Sequence, residues 1–270
     1  MISGETNFPV PTRSRDEKSC PAIWSVSAMR SSSPWQPEAC VQGRHAVRGS
    51  QSPSIRGMLK ATPGGGSMHA RCPGRTQFIA ELGFLPEGAL VSRAEELLAA
   101  GLASIQLRGK GRSAEELIRT GTRLREATHR AGACFVVNQS VEAALALRAD
   151  GLHLPADSPP PGEIRPLLPA GMALGMSCHC EAELARAQGA DWILLSPVFA
   201  TKSKPGASPL GTAELERLAA LAPAPVVALG GVTASTAAAC FAAGAAGVAA
   251  IRGFAGGDGE RLIAQAIKSG

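Results

Sequence analysis

Five cationic side chains follow short apolar runs in the last two thirds of the chain: Arg108, Lys110, Lys202, Lys204 and Arg252. Arginine and lysine match phosphate oxygens by charge and by hydrogen bonding. Two adjacent glycines, Gly230 and Gly231, follow another apolar run, and glycine lets backbone N–H groups approach an anion closely. If these runs end at one place in the fold, the sequence predicts a site for a phosphate or diphosphate.

Each of these features also has a simpler interpretation. Arg108 could pair with a loop carboxylate, Thr201–Lys204 could be a solvated loop, and Gly230-Gly231 could be a tight turn. Their joint occurrence after successive apolar runs favours the anion site for the set.

The elements that must position these residues are short apolar runs alternating with amphipathic stretches from Thr76 onward. The predicted strands are Gln77–Ala80, Ser104–Leu107, Cys134–Asn138, Gly151–Leu154, Ala173–Met176, Trp192–Ser196, Val226–Leu229 and Gly247–Ile251. The predicted helices are Leu90–Ala100, Ala114–Ala131, Val141–Leu147, a proline-rich stretch near Gly162–Leu168, Glu181–Gln188, Thr212–Leu221, Thr233–Ala243 and Glu260–Lys268. Such alternation is typical of a parallel sheet buried on both faces. Eight strands in roughly 195 residues favour a single closed (β/α)8 TIM barrel.

In such a barrel the chemistry lies at the C-terminal ends of the strands. We therefore expect the polar residues there to share one mouth with the cations. They are Gln106, Asn138, His153, Ser177, His179, Thr201 and Ser203. The turn at Ile251-Arg252 opens a short helix, whose N-terminus would also favour an anion.

Residues 1–74 differ from the rest in composition, being rich in Ser, Pro, Arg and Gly without sustained periodicity. Such a segment buries too little apolar surface to offset its ordering entropy. We expect a disordered extension before a barrel domain at 75–270. The segment could instead be a targeting or partner-binding tail, or translation assigned too far upstream, with Met58 or Met68 as the true start.

Charge and hydropathy exclude several classes of protein. Residues 1–74 carry 9 Lys/Arg and 4 Asp/Glu, whereas residues 75–270 carry 18 of each, so the barrel offers no basic surface for nucleic acid. The sequence contains no run of 18 apolar residues, so we expect no transmembrane helix. No secretory signal is apparent. We expect a cytoplasmic protein that could form homo-oligomers and that binds neither nucleic acid nor membrane.

The order of the strand-end motifs resembles the thiamine-phosphate synthase family and its relative, the thiazole tautomerase. The motifs are Gln-Leu-Arg-x-Lys at 106–110, Asn138, Asp-Gly-x-His-Leu at 150–154, Ser-x-His at 177–179, Pro-Val-Phe-x-Thr-x-Ser-Lys at 197–204 and Gly-Gly at 230–231. The resemblance implies a synthase that joins hydroxymethylpyrimidine diphosphate to thiazole phosphate and releases diphosphate. The reaction is dissociative in this family, and diphosphate charge is normally neutralised with Mg²⁺.

The resemblance also implies roles for individual residues. The substrate and diphosphate set is Gln106, Arg108, Lys110, Asn138, Thr201, Ser203 and Lys204. Gly231 matches the family's thiazole-phosphate site. The other candidates for this phosphate come from the glycine turn and from the short helix after the eighth strand, and they are Gly230, Ile251 and Arg252. Ser177 matches a serine near the reacting pyrimidine. The candidate catalytic residues are Ser177, Lys204 of the diphosphate set, and His179, which would be the acid–base of the tautomerase.

Three positions depart from the family pattern. Gln139 and Ser158 stand where the synthases carry Mg²⁺-binding Asp, and Arg252 stands where Ser is usual. Asp157 is one residue early and is the remaining candidate metal ligand. Three functions stay open: a divergent synthase, a metal-independent thiazole tautomerase with His179 as its general acid–base, and a non-catalytic binder of phosphorylated thiazole.

Overall fold

The computed structural model describes residues 72–203 and 206–269. Apart from residues 72–74, the predicted extension lies outside the described residues, and so does Lys204. Cys72 belongs with Cys134 to one buried cluster. The division into 1–74 and 75–270 stays a prediction.

Eight parallel strands close into one barrel, in which each strand pairs with the next along the chain and the last pairs with the first. They are β1 (Thr76–Glu81), β2 (Ser104–Arg108), β3 (Cys134–Asn138), β4 (Gly151–Leu154), β5 (Ala173–Cys178), β6 (Trp192–Leu195), β7 (Val226–Leu229) and β8 (Gly247–Ala250). The predicted (β/α)8 barrel is confirmed.

Helices alternate with these strands. They are α1 (Glu87–Ala99), α2 (Ala114–Ala131), α3 (Val141–Ala146), α4 (Pro161–Ile164), α5 (Glu181–Arg186), α6 (Gly211–Leu221), α7 (Ala234–Ala242), α8 (Arg252–Ala255) and α9 (Gly259–Lys268). The stretch predicted near Gly162–Leu168 is divided, since α4 is followed by a 3₁₀ turn at Arg165–Leu167. Pro166 explains the division, because it lacks the N–H that would continue an α-helix. In the described part of the chain, no helix is both long and apolar enough to cross a membrane.

The apolar side chains form two cores. The larger lies between strands and helices, and it includes Phe135 and Leu195. The smaller fills the barrel interior, because alternate residues of a strand face opposite sides of the sheet. Its largest side chain is Trp192, which is 1% exposed. Gly175 makes room for this ring, since a Cβ there would lie 2.1 Å from a ring carbon.

Replacing Gly175 with Ala should lower the free energy of unfolding by about 2 kcal/mol, the scale of overpacking in a filled core. Urea titration would measure the loss. Gly88→Ala in α1 is the matched control, because no atom lies within 4 Å of a Cβ at that position. Equal stability of the Gly175 variant and the control would show that Trp192 does not fill the barrel as described.

Candidate active site

The strand pairing brings most of the predicted mouth residues to one end of the barrel. Glu81 of β1 pairs with Arg108 of β2, and Asn138 of β3 pairs with His153 of β4. Ser177 lies near the end of β5. On β1 and β3 the residues two positions earlier belong to the barrel interior, so these side chains face the mouth.

Arg108 does not lie alone in this mouth. Its guanidinium forms an ion pair with the carboxylate of Glu81, at the end of the neighbouring strand. Burial lowers the pKa of the Arg108 guanidinium, and the arginine side chain is only 36% exposed. An anion bound at this end of the barrel would therefore compete with Glu81 for a partly desolvated cation.

A hydrogen-bonded row joins three strand ends. His153 is 3% exposed, with Nδ1 3.0 Å from Asn138 Oδ1 and Nε2 3.3 Å from Ser177 Oγ. Its ring stacks against Trp192 with centroids 6.3 Å apart. Burial, and secondarily the charge of Arg108, lower the pKa of His153 to about 3. The imidazole is therefore neutral.

His179 lies at the next strand end. Its Nδ1 is 2.6 Å from the Ser196 carbonyl oxygen, which can only accept, so Nδ1 carries the proton and donates. The backbone N–H of His179 donates to Glu183 Oε2 at 2.6 Å. The contact with Ser196 orients the ring, and the contact with Glu183 holds the backbone at this strand end.

Gln106 lies deeper than the sequence indicates. It is 1% exposed, and its Nε2 donates to Gln77 Oε1 at 3.3 Å inside the barrel. Nε2 of Gln77 is buried and has no hydrogen-bond partner within the described residues. The two amides form a polar layer beneath the mouth.

The glycine pair after β7 is packed tightly against the loop after β6. A Cβ on Gly231 would lie 2.6 Å from the carbonyl oxygen of Ala200, and one on Gly230 would lie 2.8 Å from Pro197. Both glycines also have positive φ, at 98° for Gly230 and 66° for Gly231. Backbone conformation and close packing thus account for both glycines, and phosphate binding there stays a prediction.

Arg252 connects two loops at the mouth. Its Nη1 donates to Ser203 Oγ at 2.9 Å, and its guanidinium carbon lies 5.4 Å from the centroid of the Phe84 ring. The backbone N–H of Ser203 in turn donates to Thr201 Oγ1 at 3.3 Å. Arg252 follows the half-buried Ile251 and begins α8, the short helix expected from the sequence. Lys110 and Lys202 are exposed.

The candidate metal ligand Asp157 is exposed in the loop after β4. Arg186 donates to the backbone oxygens of Ala156 at 3.2 Å and Ser158 at 2.9 Å, which holds this loop. Gln139 is exposed too, with φ at 67°. Among residues 72–203 and 206–269, no three His, Cys, Asp or Glu side chains lie close enough together to hold a metal ion.

Two features of the mouth were missed at the level of sequence. The first is Glu81, which a strand prediction one residue longer would have included. The second is the role of His153 between Asn138 and Ser177, which depends on strand pairing that the motif Asp-Gly-x-His-Leu does not give.

Comparison with known proteins places the chain in a family. Residues 77–254 match the family model described as thiamine monophosphate synthase. The thiamine-phosphate synthase of Methanoculleus marisnigri is 42% identical over 178 residues, covering 64% of this chain and 79% of that protein. The thiamine-phosphate synthase of Moorella thermoacetica is 41% identical over 173 residues, covering 63% and 77%. The thiamine phosphate pyrophosphorylase of Pyrococcus furiosus superposes with a TM-score of 0.66 at 27% identity, covering 74% of this chain and 98% of its own. The predicted resemblance is confirmed, and the chain belongs to the thiamine monophosphate synthase family.

Proposed function

We propose that the protein is a thiamine-phosphate synthase, a transferase of thiamine biosynthesis. It would join hydroxymethylpyrimidine diphosphate to thiazole phosphate and release diphosphate. The observation that carries the proposal is the meeting of Arg108, Asn138 and Ser177 in one barrel mouth, in a chain whose relatives are thiamine-phosphate synthases.

The transfer reaction requires little proton transfer by the protein. The bond between the pyrimidine methylene and the diphosphate oxygen breaks, and both electrons leave with the diphosphate. The thiazole nitrogen then donates its lone pair to the resulting methylene cation and becomes the thiazolium nitrogen of thiamine phosphate. Arg108, Lys110 and the NH₂ group of Asn138 would hold the departing anion, and oriented donors are most effective where charge develops.

The thiazole phosphate would bind at the other side of the mouth. Arg252 holds Ser203 of the loop after β6 and would supply the cation for this phosphate. Thr201, Ser203 and Lys204 would contact diphosphate, as the family resemblance implies. Substrates of this family are small and phosphorylated, in agreement with the expected partners. Cytoplasmic location and homo-oligomer formation stay predictions.

The residues present do not fit a Mg²⁺ ion held by protein carboxylates. Glu81 is engaged by Arg108, Asp157 is exposed, and Gln139 and Ser158 are neutral. Mg²⁺ prefers carboxylate and phosphate oxygens and keeps several waters. A Mg²⁺ ion required for turnover would have to be held mainly by diphosphate oxygens and water.

The double variant Gln139→Asp, Ser158→Asp tests this account. Carboxylates at both positions should lower the Mg²⁺ concentration for half-maximal rate about tenfold, because each adds an oxygen ligand of the type that Mg²⁺ prefers. The measurement is initial rate against Mg²⁺ concentration. The matched control Gln139→Asn, Ser158→Asn adds no charge and should leave this concentration unchanged. An unchanged requirement in the Asp variant would show that the metal does not lie between these loops.

Thiazole tautomerase is the second candidate, because that reaction needs a general acid–base and the ring of His179 is oriented at a strand end by the Ser196 carbonyl oxygen. Purified protein incubated with pyrimidine diphosphate and thiazole phosphate, with and without Mg²⁺, separates the candidates. We expect thiamine phosphate to form, and to form also in His179→Ala. Isomerisation of a thiazole carboxylate phosphate that is lost in His179→Ala would establish the tautomerase. Binding without any turnover would establish the non-catalytic alternative.

A further inference from the structure

His153 is the buried residue on which two mouth residues depend. Its two ring nitrogens lie within hydrogen-bond distance of Asn138 and Ser177, and its ring stacks against Trp192. A buried polar side chain with two polar partners fixes all three in one arrangement. Its functional meaning follows from which nitrogen carries the proton.

The partners decide the tautomer. Asn138 Oδ1 can only accept, so Nδ1 of His153, 3.0 Å away, must be the donor. A neutral imidazole has one N–H, so Nε2 is an acceptor and Ser177 must donate its hydroxyl proton across the 3.3 Å contact. Asn138 then has its NH₂ group left for other contacts, and Ser177 has its oxygen lone pairs.

Both remaining groups suit a dissociative transfer. An NH₂ group can donate to an anion, which is what a departing diphosphate requires. Oxygen lone pairs place negative partial charge near an electron-poor methylene carbon. The reversed tautomer would require a different assignment of donors: Nε2–H would donate to Ser177, and Nδ1 would accept from the NH₂ group of Asn138.

A nucleophilic role for this row is disfavoured. Ser177, His153 and Asn138 are connected by hydrogen bonds in the same order as the Ser, His and Asp of a hydrolytic triad. However, the pKa of His153 is lowered to about 3, so at pH 7 roughly one ring in 10⁴ would hold a proton. Such a ring is too weak a base to activate Ser177.

We infer that His153 is a positioning residue for the transfer reaction: it directs the amide donor of Asn138 toward the diphosphate and the oxygen of Ser177 toward the reacting methylene. This inference rests on the proposed function. One buried ring would thus orient two groups: the amide that binds the leaving diphosphate, and the hydroxyl oxygen beside the carbon from which the diphosphate departs.

Two conservative variants divide the two tasks. The carboxamide nitrogen of Asn lies where Nδ1 of histidine lies, so His153→Asn keeps the donor to Asn138 and loses the acceptor for Ser177. The carboxamide of Gln reaches the position of Nε2, so His153→Gln keeps the acceptor for Ser177 and loses the donor to Asn138. His153→Phe removes both polar atoms and keeps a ring against Trp192.

The measurements are the Kd for inorganic diphosphate by calorimetry and kcat for thiamine phosphate formation. His153→Gln should weaken diphosphate binding about tenfold, the scale for losing one oriented hydrogen bond. It should lower kcat as well, because the amide donor of Asn138 also stabilises the charge that develops on the departing diphosphate. His153→Asn should lower kcat about tenfold with Kd nearly unchanged. His153→Phe should show both losses. Losses of kcat and affinity that move together with the melting temperature in all variants would reduce His153 to a structural role and overturn the inference.

A readout independent of turnover separates this inference from the proposed function. The ¹⁵N NMR signals that disappear in His153→Phe belong to His153, and they should show the proton on Nδ1. A proton on Nε2 would overturn the inference even in an active synthase. If wild type makes no thiamine phosphate, the proposed function fails, and so does the role assigned to Ser177. The orientation of Asn138 is then judged by the proton on Nδ1 and by diphosphate affinity.

Discussion

Replacing Arg108 with Ala should lower kcat/KM for the pyrimidine diphosphate by about 10²–10³-fold, the usual scale for removing one group that stabilises developing negative charge. The guanidinium is partly desolvated at the barrel mouth, and charge interactions are stronger where water is excluded. Initial rates against substrate concentration, with thiamine phosphate quantified, provide the measurement.

Arg112→Ala is the matched control. Arg112 is exposed and pairs with Glu116 at the start of α2, so its loss should change kcat/KM less than about twofold, as for a solvated ion pair. A similar loss in both variants would mean that the mouth acts through general positive charge and that Arg108 has no particular place in it.

The ion pair with Glu81 requires one more comparison. If Arg108 only stabilises the barrel by pairing with Glu81, then Glu81→Gln should impair the enzyme as much as Arg108→Ala does. If Arg108 binds diphosphate, Glu81→Gln should keep turnover and strengthen diphosphate binding, because the carboxylate no longer competes for the cation. Calorimetry with inorganic diphosphate distinguishes these outcomes.

The barrel fold could be predicted from the sequence because each strand is a short apolar run. All eight predicted strands lie within two residues of the observed bounds, since hydrophobic runs such as Val226–Leu229, which lies between a proline and a glycine, are bounded by polar or turn-forming residues. Once eight such runs alternate with helices, the rule that barrel chemistry lies at the strand ends also predicts that Arg108, Asn138 and Ser177 share a mouth.

The contacts between residues of that mouth could not be predicted from the sequence in the same way. Glu81 is opposite Arg108, and His153 is opposite Asn138, because of the register between neighbouring strands. Register in a closed barrel depends on the tilt and stagger of all strands together, which no single motif encodes. The link between Arg252 and Ser203 joins residues 49 positions apart in the chain, and it too follows only from the closed fold.

Trp192 illustrates the same limit for packing. Its burial follows from an apolar run, but the space that it occupies is left by Gly175 on the neighbouring strand. A glycine inside a strand predicts a close approach without saying what approaches. The packing of Trp192 against Gly175 and against the ring of His153 therefore follows from the pairing of the strands and not from any single run of the sequence.

The neutral, buried state of His153 should make the protein sensitive to acid. Its pKa is about 3 in the folded protein and about 6.5 in an unfolded chain. As pH falls through the window between these values, the unfolded chain binds a proton that the native ring does not, so stability is lost toward low pH. Between pH 7 and pH 4 this residue alone should lower the free energy of unfolding by about 3 kcal/mol, at about 1.36 kcal/mol for each pH unit.

Denaturant titrations of wild type and His153→Phe at several pH values isolate this contribution. Carboxylates also titrate near pH 4, but they are common to both proteins, so their effects cancel in the difference. The variant should lose less stability than wild type on acidification, by about 3 kcal/mol at pH 4. Parallel stability curves for the two proteins would mean that His153 accepts a proton in the native state. In that protonated ring Nδ1 could still donate to Asn138, but Nε2 would also be a donor and could no longer accept from Ser177.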